Sequence, residues 1–303
     1  MVQVFSTKKV KPHLYPFLGP HDDPTPYVDF EPIEFSISED GKEWHSIYDQ
    51  PDLKDVLCYL HSPAPVQQED NLEKLGLQDG QKLNSTSYNT REITMSIHFY
   101  GMNEADAFLA FDALQKFMDS REAYWICWAD FPQRMYKVRA KLAAPTFTSE
   151  RGWTCQVTLT DLYGLSRSVG TTADFDNMVE GFGNNQPINR PQYVFTTNQF
   201  TVQNTSEVMI DPERRGKPLT ITLEGSANGD MSIKNKTTDD EVTRKGGWSG
   251  TWSLVDVNPM LNGNHDGINT NHKIITLAKG PNEFVVSGFQ GKITFDFPLW
   301  WQS

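Results

Sequence analysis

The chain has 303 residues and a formal net charge of -12; 38% of its residues are hydrophobic and 22% charged, with 18 Phe, 10 Tyr and 8 Trp. That length accommodates two domains of ordinary size, and the bulky apolar content is enough to offset the ordering entropy of folding. The acidic balance, with no dense basic run, excludes sequence-specific nucleic-acid binding and disfavours anionic lipid.

Residues 1–32 hold Pro12, Pro16, Pro20, Pro24, Pro26 and Pro32, which fix φ and remove donors, so an extended arm available to a neighbour is expected. The opening has no apolar core of signal-peptide length and the chain no run of 18 apolar residues, so no export or membrane segment is expected. From Phe35 to Ile47, FSISEDGKEWHSI predicts a hairpin turning at Asp40-Gly41. Residues 48–90, with PDLKD, SPAPVQQED and LNSTSYNT, read as long polar loops with a helical turn at Leu72 to Leu77. Ile93, Met95, Ile97 and Phe99 then alternate with polar residues at the period of a half-buried strand.

NEADAFLAFDALQKFMDSR is the one strong helix: Ala107, Phe111, Leu114 and Met118 fall on one face, Phe108 and Phe117 stand beside them, and Asn103 is placed to cap. Strands follow at Tyr124 to Trp128, Tyr136 to Leu142, and around Cys155, Val157 and Leu159. The Gly/Asn/Ser-rich run from Leu165 to Pro191 reads as a linker or protruding loop. Beyond it, short strands are expected at Tyr193–Phe195, Phe200–Val202, Val208–Ile210, Leu219–Leu223, Met231–Ile233, Trp252–Leu254, Ile274–Leu277, Glu283–Ser287 and Ile293–Phe297. Their close spacing argues for an all-β sandwich. The division is therefore 1–168, a sheet plus one helix; 169–190, the linker; and 191–303, the sandwich.

Signs of chemistry are weak. His265, Asp266 and His272 in NGNHDGINTNH are residue types that bind a divalent metal, but their spacing matches no metal motif and the surrounding Gly and Asn favour a solvated turn. His21, Asp22 and Asp23 lie between prolines with nothing to preorganise an acid/base pair. No GxSxG elbow occurs, and Gly246, Gly247 and Gly250 lack the Lys and Ser/Thr of a phosphate-cradling loop. Cys58, Cys127 and Cys155 contain no CxxC pair and are odd in number, so neither a disulfide framework nor a zinc knuckle is indicated, and a reducing cytoplasm fits. Trp248, Trp252, Trp300 and Trp301 admit a glycan-stacking role, but core packing is the stronger reading. The sequons at Asn84, Asn204 and Asn235 carry no weight without secretion. We expect no enzyme activity, catalytic residue, metal or cofactor.

NTREITMSIHFYG, the helix NEADAFLAFDALQKFMDSR, and EAYWICWADFPQRMYKVRAKLAAPTFTSERGWTCQVTLTDLYG together resemble the N-terminal domain of siphophage distal tail proteins. Arg91, the strand Ile93 to Phe99, the helix from Asn103 to Arg121 and the strand Thr154 to Thr160 carry the match. The run from INRP through IDPERRGKPLTITLEGSANGDMSIKNKTT to ITFDFPLWWQS is similar to the galectin-like C-terminal domain of the same family. The resemblance implies a mainly β, α+β N-terminal ring-forming (belt) domain and a galectin-like sandwich. It also implies a homohexamer around a channel in the virion tail tip, assembled in the bacterial host cytoplasm. The implied partners are the tail tube protein, the tape measure protein and the tail-associated lysin or hub protein, with residues 165–190 as the candidate holder of a receptor-binding protein. The alternative is a carbohydrate-binding β-sandwich protein contacting host cell-wall glycans.

Overall fold

The computed structural model describes residues 2–14, 28–77, 79–177 and 191–303. Among them the chain forms two compact units, one up to Ser166 with Gln302–Ser303, the other from Arg167 to Trp301. Pro16, Pro20, Pro24, Pro26 and the His21, Asp22, Asp23 group lie outside the described residues, as does 178–190 of the expected linker. The described part of the opening segment packs on its own unit. Val4 is buried, the Ser6 amide donates to Glu34 Oε1 at 2.6 Å, and Lys11 Nζ meets Glu34 Oε2 at 2.6 Å.

The first unit is built on an antiparallel sheet. Its strands are β1 (Phe35–Ser38), β2 (His45–Ser46), β3 (Val56–Pro63), β6 (Arg91–Tyr100), β7 (Tyr124–Trp128), β8 (Arg134–Leu142) and β10 (Gly152–Asp161), ordered β2-β1-β7-β8-β10-β6-β3. β9 (Thr146–Ser149) adds to β10. The alternation in β6 is what sets its burial, because Ile93, Met95, Ile97 and Phe99 face the core opposite Leu159, Val157, Cys155 and Trp153 of β10. The β1–β2 hairpin forms as expected, with a longer turn than the two residues read from Asp40-Gly41. Asp40 Oδ1 accepts from the amides of Lys42 (2.7 Å) and Glu43 (3.0 Å), an Asx-type closure that holds the extra residues.

Helix α1 (Glu104–Met118) covers one face of the sheet, its N-cap Asn103 accepting from the Asp106 amide at 3.0 Å. Ala107, Ala110, Leu114 and Met118 are its buried stripe. The two alanines let the helix backbone come close enough for Trp153 Nε1 to donate to the Ala107 carbonyl at 2.9 Å. Phe111 meets Trp153 edge-on at 5.6 Å, whereas Phe108 lies on the outer face, 55% exposed.

The reading of 48–90 as long loops is overturned. This stretch holds the edge strand β3 and an antiparallel hairpin, β4 (Gln67–Glu73) with β5 (Lys82–Asn89), and the expected helical turn at Leu72 to Leu77 is the end of β4 and the turn after it. The hairpin forms a separate two-stranded sheet exposed along nearly its whole length, so neither face selects apolar residues and no period of two is written into QQEDNLE or KLNSTSYN.

The second unit has two antiparallel sheets. One runs β12-β21-β14-β17-β18-β19, from β12 (Val194–Phe195), β14 (Thr220–Ala227), β17 (Trp248–Val255), β18 (Asn258–Leu261), β19 (Asn264–His265) and β21 (Gln290–Asp296). The other runs β13-β20-β15-β16, from β13 (Gln199–Asn204), β15 (Met231–Asn235), β16 (Asp240–Arg244) and β20 (Gly280–Ser287). β11 (Ser166–Ser168) pairs with β22 (Trp300–Trp301). Ring contacts join the sheets face to face: Phe195 stacks on Phe200 at 4.2 Å and Phe284 meets Phe295 at 4.8 Å, making a sandwich with an aromatic core. Two expected strands, Val208–Ile210 and Ile274–Leu277, reduce to one bridge between Ile210 and Leu277. β16, β18 and β19 were not legible, since DEVTR offers one apolar residue and the β18–β19 turn is made by Asn262 (φ 49°) and Gly263 (φ 82°) inside what reads as a loop.

Replacing Leu114 by Ala is expected to cost the first unit about 3 kcal/mol. Leu109→Ala, on the outer face of the same helix, is expected to change stability by less than about 0.5 kcal/mol. Scanning calorimetry of the two variants separates these outcomes.

Candidate assembly surface

The residues proposed for chemistry do not come together. Asp266 is buried, and His265 and His272 are exposed. Asp266 Oδ2 accepts from Arg244 Nε at 2.7 Å and from Trp252 Nε1 at 3.0 Å, while Oδ1 accepts from Asn269 Nδ2 at 2.7 Å. Its oxygens are therefore occupied in tying β16, β17 and the 266–269 turn together. Arg244 Nη1 also donates to the Gly246 carbonyl at 2.6 Å, which gives the Gly246-Gly247 turn a structural purpose. Burial raises the Asp266 pKa, but hydrogen bonds from Arg244, Asn269 and Trp252 outweigh it and hold the carboxyl below its ordinary value.

All three cysteines are buried and free. Burial pushes the Cys58 thiol up to about 12 and moves those of Cys127 and Cys155 upward, so none is a ready nucleophile. Trp252, Trp300 and Trp301 are fully buried, and Trp248 stacks on Phe289 at 5.6 Å, which favours the packing reading over a glycan platform. Among the described residues no group of three His, Cys, Asp or Glu is arranged to hold a metal. A cleft of about 690 Å³ between 50–55 and α1 carries Asp52, Asp55, Asp106 and Asp112 with Lys54 and Lys116. It aligns no nucleophile with a base, since Asp106 is engaged by the Met102 amide and Asp112 by Lys116.

What the first unit does offer is surface suited to contact. The β4–β5 hairpin presents Leu72, Leu75, Leu77 and Leu83 to solvent near its tip, and Tyr59 and Leu60 are exposed on the edge strand β3, where the register shifts between Cys58 and Leu60. Tyr100, Met102, Phe108 and Phe147 form a further exposed apolar group at the start of α1, with Phe108 and Phe147 5.5 Å apart. Sequence reading did not find this surface, because polar strands and isolated leucines carry no periodic signal.

The hairpin is held at its root by Arg91. Its Nε meets Asp161 Oδ2 at 3.0 Å, with side chains 1% and 0% exposed. Its Nη1 donates to the carbonyls of Ala64 (3.3 Å) and Gln302 (2.8 Å). Ala64 stands just before β4 and Arg91 just after β5, so one guanidinium clamps both ends of the hairpin. The Ala64 amide donates to the Glu92 carbonyl at 2.9 Å, and Gln302 Nε2 donates to Tyr88 Oη at 2.8 Å. Burial raises the Asp161 pKa above its ordinary value, with Arg91 and the amides of Tyr163 and Gly164 pulling against it. Arg91 is the residue at the head of the strand on which the family resemblance rested.

Residues 48–160 match the family model described as phage tail protein RIFT-related domain. No curated protein matches the chain. Among solved structures it is similar to the Dit protein of phage SPP1, described as a paradigm of the hub adsorption apparatus of phages infecting Gram-positive bacteria. The identity is 16% and the TM-score 0.61, over 88% of this chain and 99% of that one. Chains of the phage P2 baseplate in its activated conformation align at 11% identity and TM-score 0.41 with calcium, and at 12% and 0.40 with strontium. Each alignment covers 88% of this chain, with 98% and 97% of the other. The resemblance to siphophage distal tail proteins is thus borne out in the phage-tail domain of the first unit and in the mainly β fold shared with SPP1 Dit.

Arg91→Met is expected to cost about 3–5 kcal/mol by leaving Asp161 buried and unpaired. The double variant R91M/D161L is expected to regain most of that loss in calorimetry, yet to be cleaved faster within 64–91 in limited proteolysis because the clamp is gone. In the second unit the sign follows from the lowered Asp266 pKa. The stabilisation is complete above the unfolded-state value of about 4 and is lost as pH falls through the lower folded-state value. Asp266→Asn is expected to flatten that part of the thermal-stability profile between neutral and acid pH.

Proposed function

We propose that this protein is a structural distal tail protein of a bacteriophage with a long, non-contractile tail. It forms a hexameric hub that joins the tail tube to the tail-tip or baseplate and receptor-binding apparatus. The observation that carries this reading is the phage-tail domain match over 48–160, the stretch that also contains the clamped, solvent-exposed β4–β5 hairpin. A closed ring of identical subunits requires two different complementary patches on each copy. The leucine-bearing hairpin and the exposed aromatic group around α1 supply apolar surface that a lone subunit would leave wet. A stable hub of this kind would bury more than about 1,000 Å² at each subunit contact.

In this reading residues 1–168 are the ring-forming (belt) domain, 169–190 the linker or protruding loop that holds a receptor-binding protein, and 191–303 a galectin-like sandwich. The partners are other copies of the chain, the tail tube protein, the tape measure protein and the tail-associated lysin or hub protein. The protein is not an enzyme and acts in the virion tail tip after assembly in the host cytoplasm. The occupied oxygens of Asp266 and the buried thiols support a structural role.

Negative-stain imaging with light scattering tests the reading. The full chain, alone or with its tail partners, is expected to give six-fold rings, and a variant with 67–89 replaced by a short Gly-Ser turn to remain folded but single-copy. A chain that stays monomeric in the presence of its tail partners would sink the proposal.

A further inference from the structure

We propose that Gln302 and Ser303 are a latch for the β4–β5 hairpin, so that the surface the hairpin carries is set only after the second unit has been synthesised. By their contacts these two residues belong to the first unit, although Trp300–Trp301, directly before them, belongs to the second. The latch itself stands on the hydrogen bonds at the hairpin root; its consequence for ring formation rests on the function proposed above.

The root has one anchor that needs no later residue. Gly164 (φ +62°) is so placed that a Cβ would lie 2.0 Å from the Asn89 carbonyl oxygen, so the turn after β10 is pressed onto the end of β5. Two further anchors depend on Gln302. Its Nε2 donates to Tyr88 Oη at 2.8 Å, and its carbonyl accepts from Arg91 Nη1 at 2.8 Å, a shorter bond than the 3.3 Å from the same nitrogen to the Ala64 carbonyl. Ser303 holds the tail down on β8, its carbonyl accepting from Tyr136 Oη at 3.2 Å and its hydroxyl from Arg134 Nη1. Arg91 has no spare acceptor: its Nε is on Asp161, and among the described residues its buried Nη2 has no hydrogen-bond partner. Withdrawing the Gln302 carbonyl would leave more of a buried guanidinium unsatisfied, which costs more than exchanging one partner for another.

The bonds from Gln302 to Tyr88 and to Arg91 span 214 and 211 positions. Synthesis runs from the N-terminus and domains fold as units in that order, so β4 and β5 can pair long before Gln302 exists. A two-stranded ribbon in that state is marginal and poorly aimed. Its exposed Leu72, Leu75, Leu77 and Leu83 are then not held in the place a neighbour needs, and unfinished copies are kept from docking. Seating Gln302 fixes the direction of the ribbon and completes the surface.

Hydrogen–deuterium exchange read by mass spectrometry, on the full chain and on a variant ending at Trp301, tests this. Amides of 67–73 and 82–89 are expected to exchange about tenfold or more faster in the shortened variant, while those of β14, β17 and β21 keep their rates. Tyr88→Phe and Gln302→Ala each remove the same side-chain bond, so each is expected to give a smaller acceleration and the double variant no more than either alone. Ring yield in negative stain is expected to fall in step with hairpin exchange. Unchanged hairpin exchange in the shortened variant, equal acceleration in both units, or additive effects of Y88F and Q302A would each overturn the proposal. A full chain that forms no ring with its tail partners, yet loses hairpin protection when shortened, would sink the ring function and leave the latch standing.

Discussion

A two-stranded ribbon with no core of its own is marginal in water, and its direction is only as well defined as its attachment. In this protein that attachment is the buried pair of Arg91 and Asp161. The pair is costly to desolvate and is poor evidence of net stability. Its value is geometric. A planar guanidinium can reach the carboxylate with Nε while Nη1 takes the Ala64 and Gln302 carbonyls, so the two ends of the β4–β5 hairpin and the end of the chain are fixed by one side chain. A lysine carries its donors on a single flexible atom and would not impose that arrangement.

The same economy of buried polar groups recurs in the sandwich. Asp266 gathers Arg244, Trp252 and Asn269, while Asn204, Asn235 and Asn282 satisfy backbone groups of the four-stranded sheet and its connections. Each is a connection held by a side chain where no ladder continues, as buried backbone groups require.

Legibility followed burial. The β6 alternation, the α1 stripe and most strands of the sandwich were readable because one face of each meets a core, and the core selects residue type at a fixed period. Phe111 and Phe108 mark the limit of that reading. Both lie near the apolar face by spacing, but Phe111 packs on Trp153 and Phe108 stands in solvent, a difference set by the close approach of Ala107 to the sheet. The β4–β5 hairpin escaped notice because its two faces are equally wet. In NGNHDGINTNH the metal-like cluster dissolved once Asp266 was found turned inward, toward Arg244, and its histidines outward.

By itself the sequence determined the mainly β class, the covering helix, and the resemblance of the first half to a phage-tail domain. These are properties written in local periodicity, residue type and order along the chain. Only the tertiary structure decided which polar residues act as ties, because that depends on partners as far as 70 positions apart, such as Arg91 and Asp161. Hydrogen bonds and ion pairs act over a few ångströms of space whatever their distance in sequence, so no window along the chain contains them.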